Sequence, residues 1–232
     1  MSTVQDVRAT LEPVLVGLGL VVEDISVTAA GKRRLVRVLV DTAVVLAATI
    51  VAILAGVRFS VEGRVLDLLL AAGFFVAGAG TLAFSVVPVL GGSPQDAPEA
   101  WAAIAARVLA ATLIALAPLV PAPRIIARKR VLLLGLVVLI GALVAVWLPL
   151  RGFGARLSLL DASGDGTRAV ELTVATSFLA LLALLTVLGF AIRYRARGED
   201  LDSWLALGAT LTLFAELHYV PVSYTHLTLP TN

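Results

Sequence analysis

Apolar residues run almost unbroken through six windows of the chain: 42–57, 65–90, 101–122, 131–150, 174–192 and 204–220. A membrane-spanning helix needs about 20 predominantly apolar residues, and about 17 suffice. The four middle and longer windows meet this comfortably; the first and last are short. Polar residues gather in the separators 58–64, 91–100, 123–130, 151–173 and 193–203. The pattern predicts a mainly α fold, a polytopic bundle of about six transmembrane helices over residues 42–221.

The first 41 residues follow another rule. Val4, Val7, Leu11, Val14 and Leu18 recur at helical spacing, with Ser2 or Thr3 placed to cap the helix and Gly17 and Gly19 to end it. Two extended runs follow, 20–28 and 33–41, on either side of Ala29-Ala30-Gly31-Lys32. In the second run Leu35, Val36 and Val38 to Val40 are β-formers, with Arg33, Arg34 and Arg37 set between them. The spacing predicts a small α/β fragment over 1–41, a helix followed by a β-hairpin. Asp6, Arg8 and Glu12 break its first apolar stretch, which excludes a signal peptide. Residues 222–232 are rich in Thr and Leu and form no domain; this tail is expected to lack ordered structure.

Composition sharpens the picture. Hydrophobic residues make up 59% of the 232 and charged ones 15%, against roughly 25% charged in soluble domains. An ordinary cytosolic enzyme and a disordered chain are both excluded, and the absence of cysteine excludes a disulfide scaffold. The net charge of +2 is too small to mark a nucleic-acid binder. Its distribution says more. If residue 42 starts outside, the inside loops hold Arg58, Arg64, Arg124, Arg128, Lys129, Arg130, Arg193, Arg195 and Arg197, and the outside loops only Arg151, Arg156 and Arg168. The membrane region therefore starts outside, yet a basic, cytosolic-looking fragment precedes it. The two demands conflict.

Few residues promise chemistry. Arg107 lies inside the third window, and Glu216 and His218 near the end of the sixth. Ionisable groups at membrane depth are costly enough to be candidate functional sites. In the outside-first arrangement all three fall toward the outer leaflet, as a candidate intramembrane charge pair or pH sensor. Gly73, Ala77 and Thr81 form a small-residue stripe for close helix packing, within the bundle or in a homodimer. Asp67 stands one helical turn from Arg64 and is expected to pair with it. Asp161-Ala162-Ser163-Gly164-Asp165-Gly166 has the start of a calcium loop, but Leu172 occupies the position where the motif needs glutamate, so it reads as a polar turn. No phosphate loop and no Ser-His-Asp arrangement is present, so the expectation is no enzyme, no metal and no cofactor.

Three stretches carry resemblances. Leu11-Glu12-Pro13, Val22-Glu23-Asp24-Ile25-Ser26-Val27 and residues 31–41 resemble the start of the bacterial ribosome maturation factor family RimP, which implies the small ribosomal subunit as a partner. Residues 42–220, through Val65-Leu66-Asp67-Leu68-Leu69-Leu70-Ala71-Ala72-Gly73-Phe74 and Leu213-Phe214-Ala215-Glu216-Leu217-His218-Tyr219, resemble the multi-helix membrane sensor region of actinobacterial histidine kinases and diguanylate cyclases. That resemblance implies a truncated sensory input module of bacterial signal transduction in the inner (plasma) membrane, with the lipid bilayer as its partner. Residues 222–231, Val-Ser-Tyr-Thr-His-Leu-Thr-Leu-Pro-Thr, resemble one translated frame of a transposase sequencing adapter. Together they imply a chimeric open reading frame. The alternatives are a ribosome maturation factor, judged from 1–41 alone, and a small transporter subunit. Amplifying source DNA across codons 35–50 and 215–232, then resequencing without a transposase library, is expected to recover neither junction; recovery of both would remove the chimeric reading.

Overall fold

The computed structural model describes residues 29–90, 97–120, 125–152 and 167–228. They are almost wholly helical: α1 (Ala29–Glu62), α2 (Val65–Thr81), a π-helical turn (Leu82–Val86), α3 (Val87–Leu90), α4 (Ala97–Leu116), α5 (Arg128–Gly152), α6 (Thr167–Arg197) and α7 (Asp200–Thr228). Five stretches are long and apolar enough to cross a membrane: Val38–Glu62, Val65–Leu90, Glu99–Leu116, Arg128–Leu150 and Val174–Arg197. They correspond to the first five windows. The sixth window is helical, within α7, but is not among the five. The described part of α7 opens on Asp200 and Asp202 and carries Glu216.

One predicted element is overturned. Residues 33–41 are not the second strand of a hairpin but lie within α1, and the described residues contain no strand. Leu35, Val38, Leu39 and Thr42 also fit the i, i+3, i+4 and i+7 pattern, so the run was compatible with either period. The membrane segment beyond it decides the outcome. A helix already nucleated there gains one hydrogen bond per added residue, whereas a strand needs a partner before it gains any. The predicted helix at 4–18 and strand at 20–28 lie outside the described residues. α7 continues through residues 222–228.

The chain divides into two units, Met1–Val40 and Asp41–Asn232. Of the first, the described part is the opening of α1. In the second, α6 packs along α7, α2 along α4, and α4 also meets α5 and α6. Val76, Phe84, Ala102, Ala106 and Ala110 form one core between α2 and α4, flanked by Leu139, Leu143 and Trp147 of α5. Leu66, Leu70, Ala117 and Phe190 form a second, joined by Ala55, Leu205 and Ala206. Leu46, Ile50, Ile53 and Leu54 of α1 and Leu133, Leu134, Val137 and Val138 of α5 face outward. Helices apolar on every side suit a lipid surround, where the outward side chains meet acyl chains.

Candidate functional site

Two hairpin turns are built alike. α1 ends at Gly63, whose φ of +70° is the left-handed conformation that glycine adopts without steric cost. Its N–H donates to the Phe59 carbonyl at 2.7 Å. α6 ends at Gly198, φ +68°, whose N–H donates to the Tyr194 carbonyl at 2.7 Å. Each turn thereby satisfies a carbonyl that the helix end would leave open. Each is then bridged by an ion pair: Arg58 Nε to Asp67 Oδ1 at 3.6 Å, and Arg193 Nε to Asp202 Oδ1 at 3.5 Å.

The likeness extends along the chain. Arg58, Gly63, Leu66, Asp67, Leu70, Ala71 and Gly73 recur as Arg193, Gly198, Leu201, Asp202, Leu205, Ala206 and Gly208, with Phe59 matched by Tyr194. The offset is constant at 135 residues, the sequence separation of Arg64 and Glu199. This is an internal repeat of a helix–turn–helix, with both turns facing the same way. The two copies are tied directly: Arg64 Nη1 reaches Glu199 Oε2 at 3.4 Å, while Arg64 Nε holds Glu62 Oε2 at 2.7 Å. Arg58 adds Glu62 at 3.2 Å. Asp67 is therefore paired with Arg58 rather than with Arg64, because Arg64, just beyond the glycine turn, is directed across to the other hairpin.

A third connection joins the same face. Arg128, at the start of α5, donates through Nε to the Ile125 carbonyl at 3.3 Å and through Nη1 to the Ser60 carbonyl at 3.3 Å and the Val61 carbonyl. Gly63 accepts the Ile125 N–H at 2.9 Å. A Cβ at Gly63 would stand 2.9 Å from the Ile125 carbonyl oxygen, so glycine is required here for approach as well as for φ. The three separators counted as inside thus gather at one end of the bundle, and one of their arginines serves as a clasp on open helix carbonyls.

From Phe190 and Trp204 beside the second turn, a cavity of about 360 Å³ runs between α2, α4, α6 and α7 to Glu216. Phe74, Ala111, Ala183 and Trp204 supply apolar wall, and Arg107 and Glu216 both line it. The predicted pair residues share this space, though among the described residues no ion pair joins them. The His218 side chain and the loop 161–166 lie outside the described residues. Gly73 meets Ile114 and the Ala110 carbonyl of α4, Ala77 packs on the α2–α4 core and Thr81 is buried. The small-residue stripe is thus occupied within the chain.

Charge counting overlooked the repeat because it tallied Arg58, Arg64, Arg193 and Arg197 and passed over Glu62, Asp67, Glu199 and Asp202. The pattern Arg-aromatic-x-x-x-Gly-x-x-Leu-Asp, compared with itself at every offset, is the signal that reveals it. Length, hydropathy and outward apolar faces define a helical membrane protein. Searches against family models, curated proteins and solved structures match nothing.

Proposed function

We propose that residues 42–221 are the membrane-embedded input module of a bacterial signalling protein, placed in the plasma membrane and without catalytic activity of its own. One observation carries this reading: α7 is continuous from Asp202 in the ion-paired turns to Glu216 in the cavity. A change at the cavity that tilts or rotates α7 must strain the Arg64–Glu199 contact between hairpins, which supplies the two arrangements a relay needs. The arginine-rich end is the one that the positive-inside rule assigns to the cytoplasm, where an output domain would receive the motion.

The chain has no cysteine, which makes site-directed spin labelling direct. Labels at Ser60→Cys and Ser203→Cys report the separation of the two turns. Neutralising the cavity, with Glu216→Gln or Arg107→Gln, is expected to shift their distance distribution. The exchanged pair Arg107→Glu with Glu216→Arg should return it toward the parent. Distributions that ignore both cavity residues would sink the relay.

The internal repeat favours a second reading, a small transporter subunit. Transporters are often built from repeats, with the substrate held between them. Flux of a substrate through the reconstituted protein would reverse the ranking. The ribosome-assembly reading stands on the resemblance of residues 1–41 alone, and co-sedimentation with small ribosomal subunits would test it.

A further inference from the structure

The cavity that Arg107 and Glu216 line has a buried floor and an open flank. Ala110, Ala183, Thr186 and Phe190 are buried, whereas Arg107, Trp204, Gly208 and Thr212 are exposed. The exposed four come from α4 and α7 alone, so the cavity opens sideways between these two helices. In a bilayer that flank faces lipid.

Helix register sets the depth of each charge. Glu216 stands eighteen positions beyond Gly198 along α7, about 27 Å at the helical rise. Gly189 of α6, about 13 Å from the same turn, meets Pro118 just past the end of α4. Arg107 lies eleven positions before Pro118, about 16 Å further from the turn, which brings it level with Glu216. A hydrocarbon core is about 30 Å thick. Both charges therefore sit at the headgroup boundary remote from the arginine-rich turns. Phe190 and Trp204 close the cavity at its other end, and from Trp204 to Glu216 it runs about 18 Å, slightly more than one leaflet. Arg107 is near enough for its charge to act on Glu216, yet no ion pair joins them among the described residues. The two opposite charges are left side by side with a gap between them.

We propose that this cavity binds phosphatidylethanolamine from the leaflet remote from the turns, with one acyl chain along the apolar wall, the phosphate on Arg107 and the ammonium on Glu216. A guanidinium takes a phosphate through paired N–H donors, and a primary ammonium offers three N–H donors to a carboxylate. One headgroup thus bridges the gap and offsets the cost of two charges held at the edge of hydrocarbon. An anionic lipid would satisfy Arg107 but set like charge against Glu216. A choline headgroup has no N–H to donate. The lipid is the occupant of the cavity that the relay reading treats as its input, and it rests on that reading only for what binding does to the turns.

The test uses the detergent-purified full chain and native mass spectrometry, titrating phosphatidylethanolamine, phosphatidylcholine and phosphatidylglycerol with identical acyl chains. The parent should retain phosphatidylethanolamine about tenfold better than either of the others. Glu216→Gln should lower it to the level of phosphatidylcholine and raise phosphatidylglycerol, a gain that a misfolded chain would not show. Arg107→Gln should weaken all three, while Arg107→Lys keeps their order. Gly208→Phe should exclude all three; a Cβ there meets no atom within 4 Å, so the added ring enters the cavity and not the core. Equal retention of the three lipids by the parent overturns the proposal. So does a preference that survives Glu216→Gln or Gly208→Phe, or displacement of the lipid by free phenylalanine, which would assign the two charges to a soluble zwitterion. Spin labels on the turns that stay still while the preference holds would support the site and count against the relay alone.

Discussion

Replacing Asp202 by alanine is expected to cost the fold about 3–5 kcal/mol, the usual cost of leaving one partner of a buried ion pair alone. Asp202 is fully buried and Arg193 nearly so, with side-chain exposures of 1% and 9%. Neither carboxylate oxygen of Asp202 accepts a hydrogen bond among the described residues, so the pair is held by charge alone. The matching change in the first repeat, Asp67→Ala, should cost no more than about 1 kcal/mol. Its partner Arg58 is a third exposed and keeps Glu62 at 3.2 Å. Unfolding in detergent micelles compares the two. Equal losses would mean that burial of the arginine does not set the difference. Replacing both Arg193 and Asp202 by leucine should recover most of the loss, since exchanging a buried pair for apolar side chains is often neutral.

Gly80→Val is expected to separate α2 from α4. A Cβ at Gly80 would stand 2.6 Å from the Cβ of Ala106, an atom fixed to its backbone that cannot swing aside. Overpacking of this kind costs about 1–3 kcal/mol, and here one helix must move bodily. Gly208 is the control. A Cβ there meets nothing within 4 Å, so Gly208→Ala should stabilise α7 by about 0.5–1 kcal/mol through reduced chain freedom. Thermal unfolding of the two variants should move in opposite directions. A Gly80→Val chain as stable as the parent would show that the close approach of α2 and α4 contributes nothing to the fold.

The contrast between these glycines shows what a single sequence discloses. Hydropathy alone located five membrane segments, and the window 65–90 coincides with the span Val65–Leu90, because lipid imposes one simple demand on every side of a helix. The run 33–41 is helix rather than strand although its valines, leucines and arginines satisfy two periods, because the choice belongs to the helix that follows. Arg128 looked like one more positive charge of an inside loop. Its role as a clasp depends on where α1 ends in space. Gly73 and Gly208 are equivalent in the repeat, yet one touches Ile114 and the other nothing, because α4 runs beside only the first. Arg107 and Glu216 were recognisable from the rarity of charge at membrane depth; that one cavity receives both depended on how α4 and α7 are placed.

Around Gly63 the order is acid then base, Glu62 and Arg64; around Gly198 it is base then acid, Arg197 and Glu199. The two turns share a backbone plan but carry inverted charges, like a key and its lock cut from one blank. Two first turns brought together would set arginine against arginine, and two second turns glutamate against glutamate. Only unlike turns close the contact. In a bilayer, where greasy helix faces discriminate poorly between neighbours, this inversion makes the pairing of unlike turns the one that charge favours.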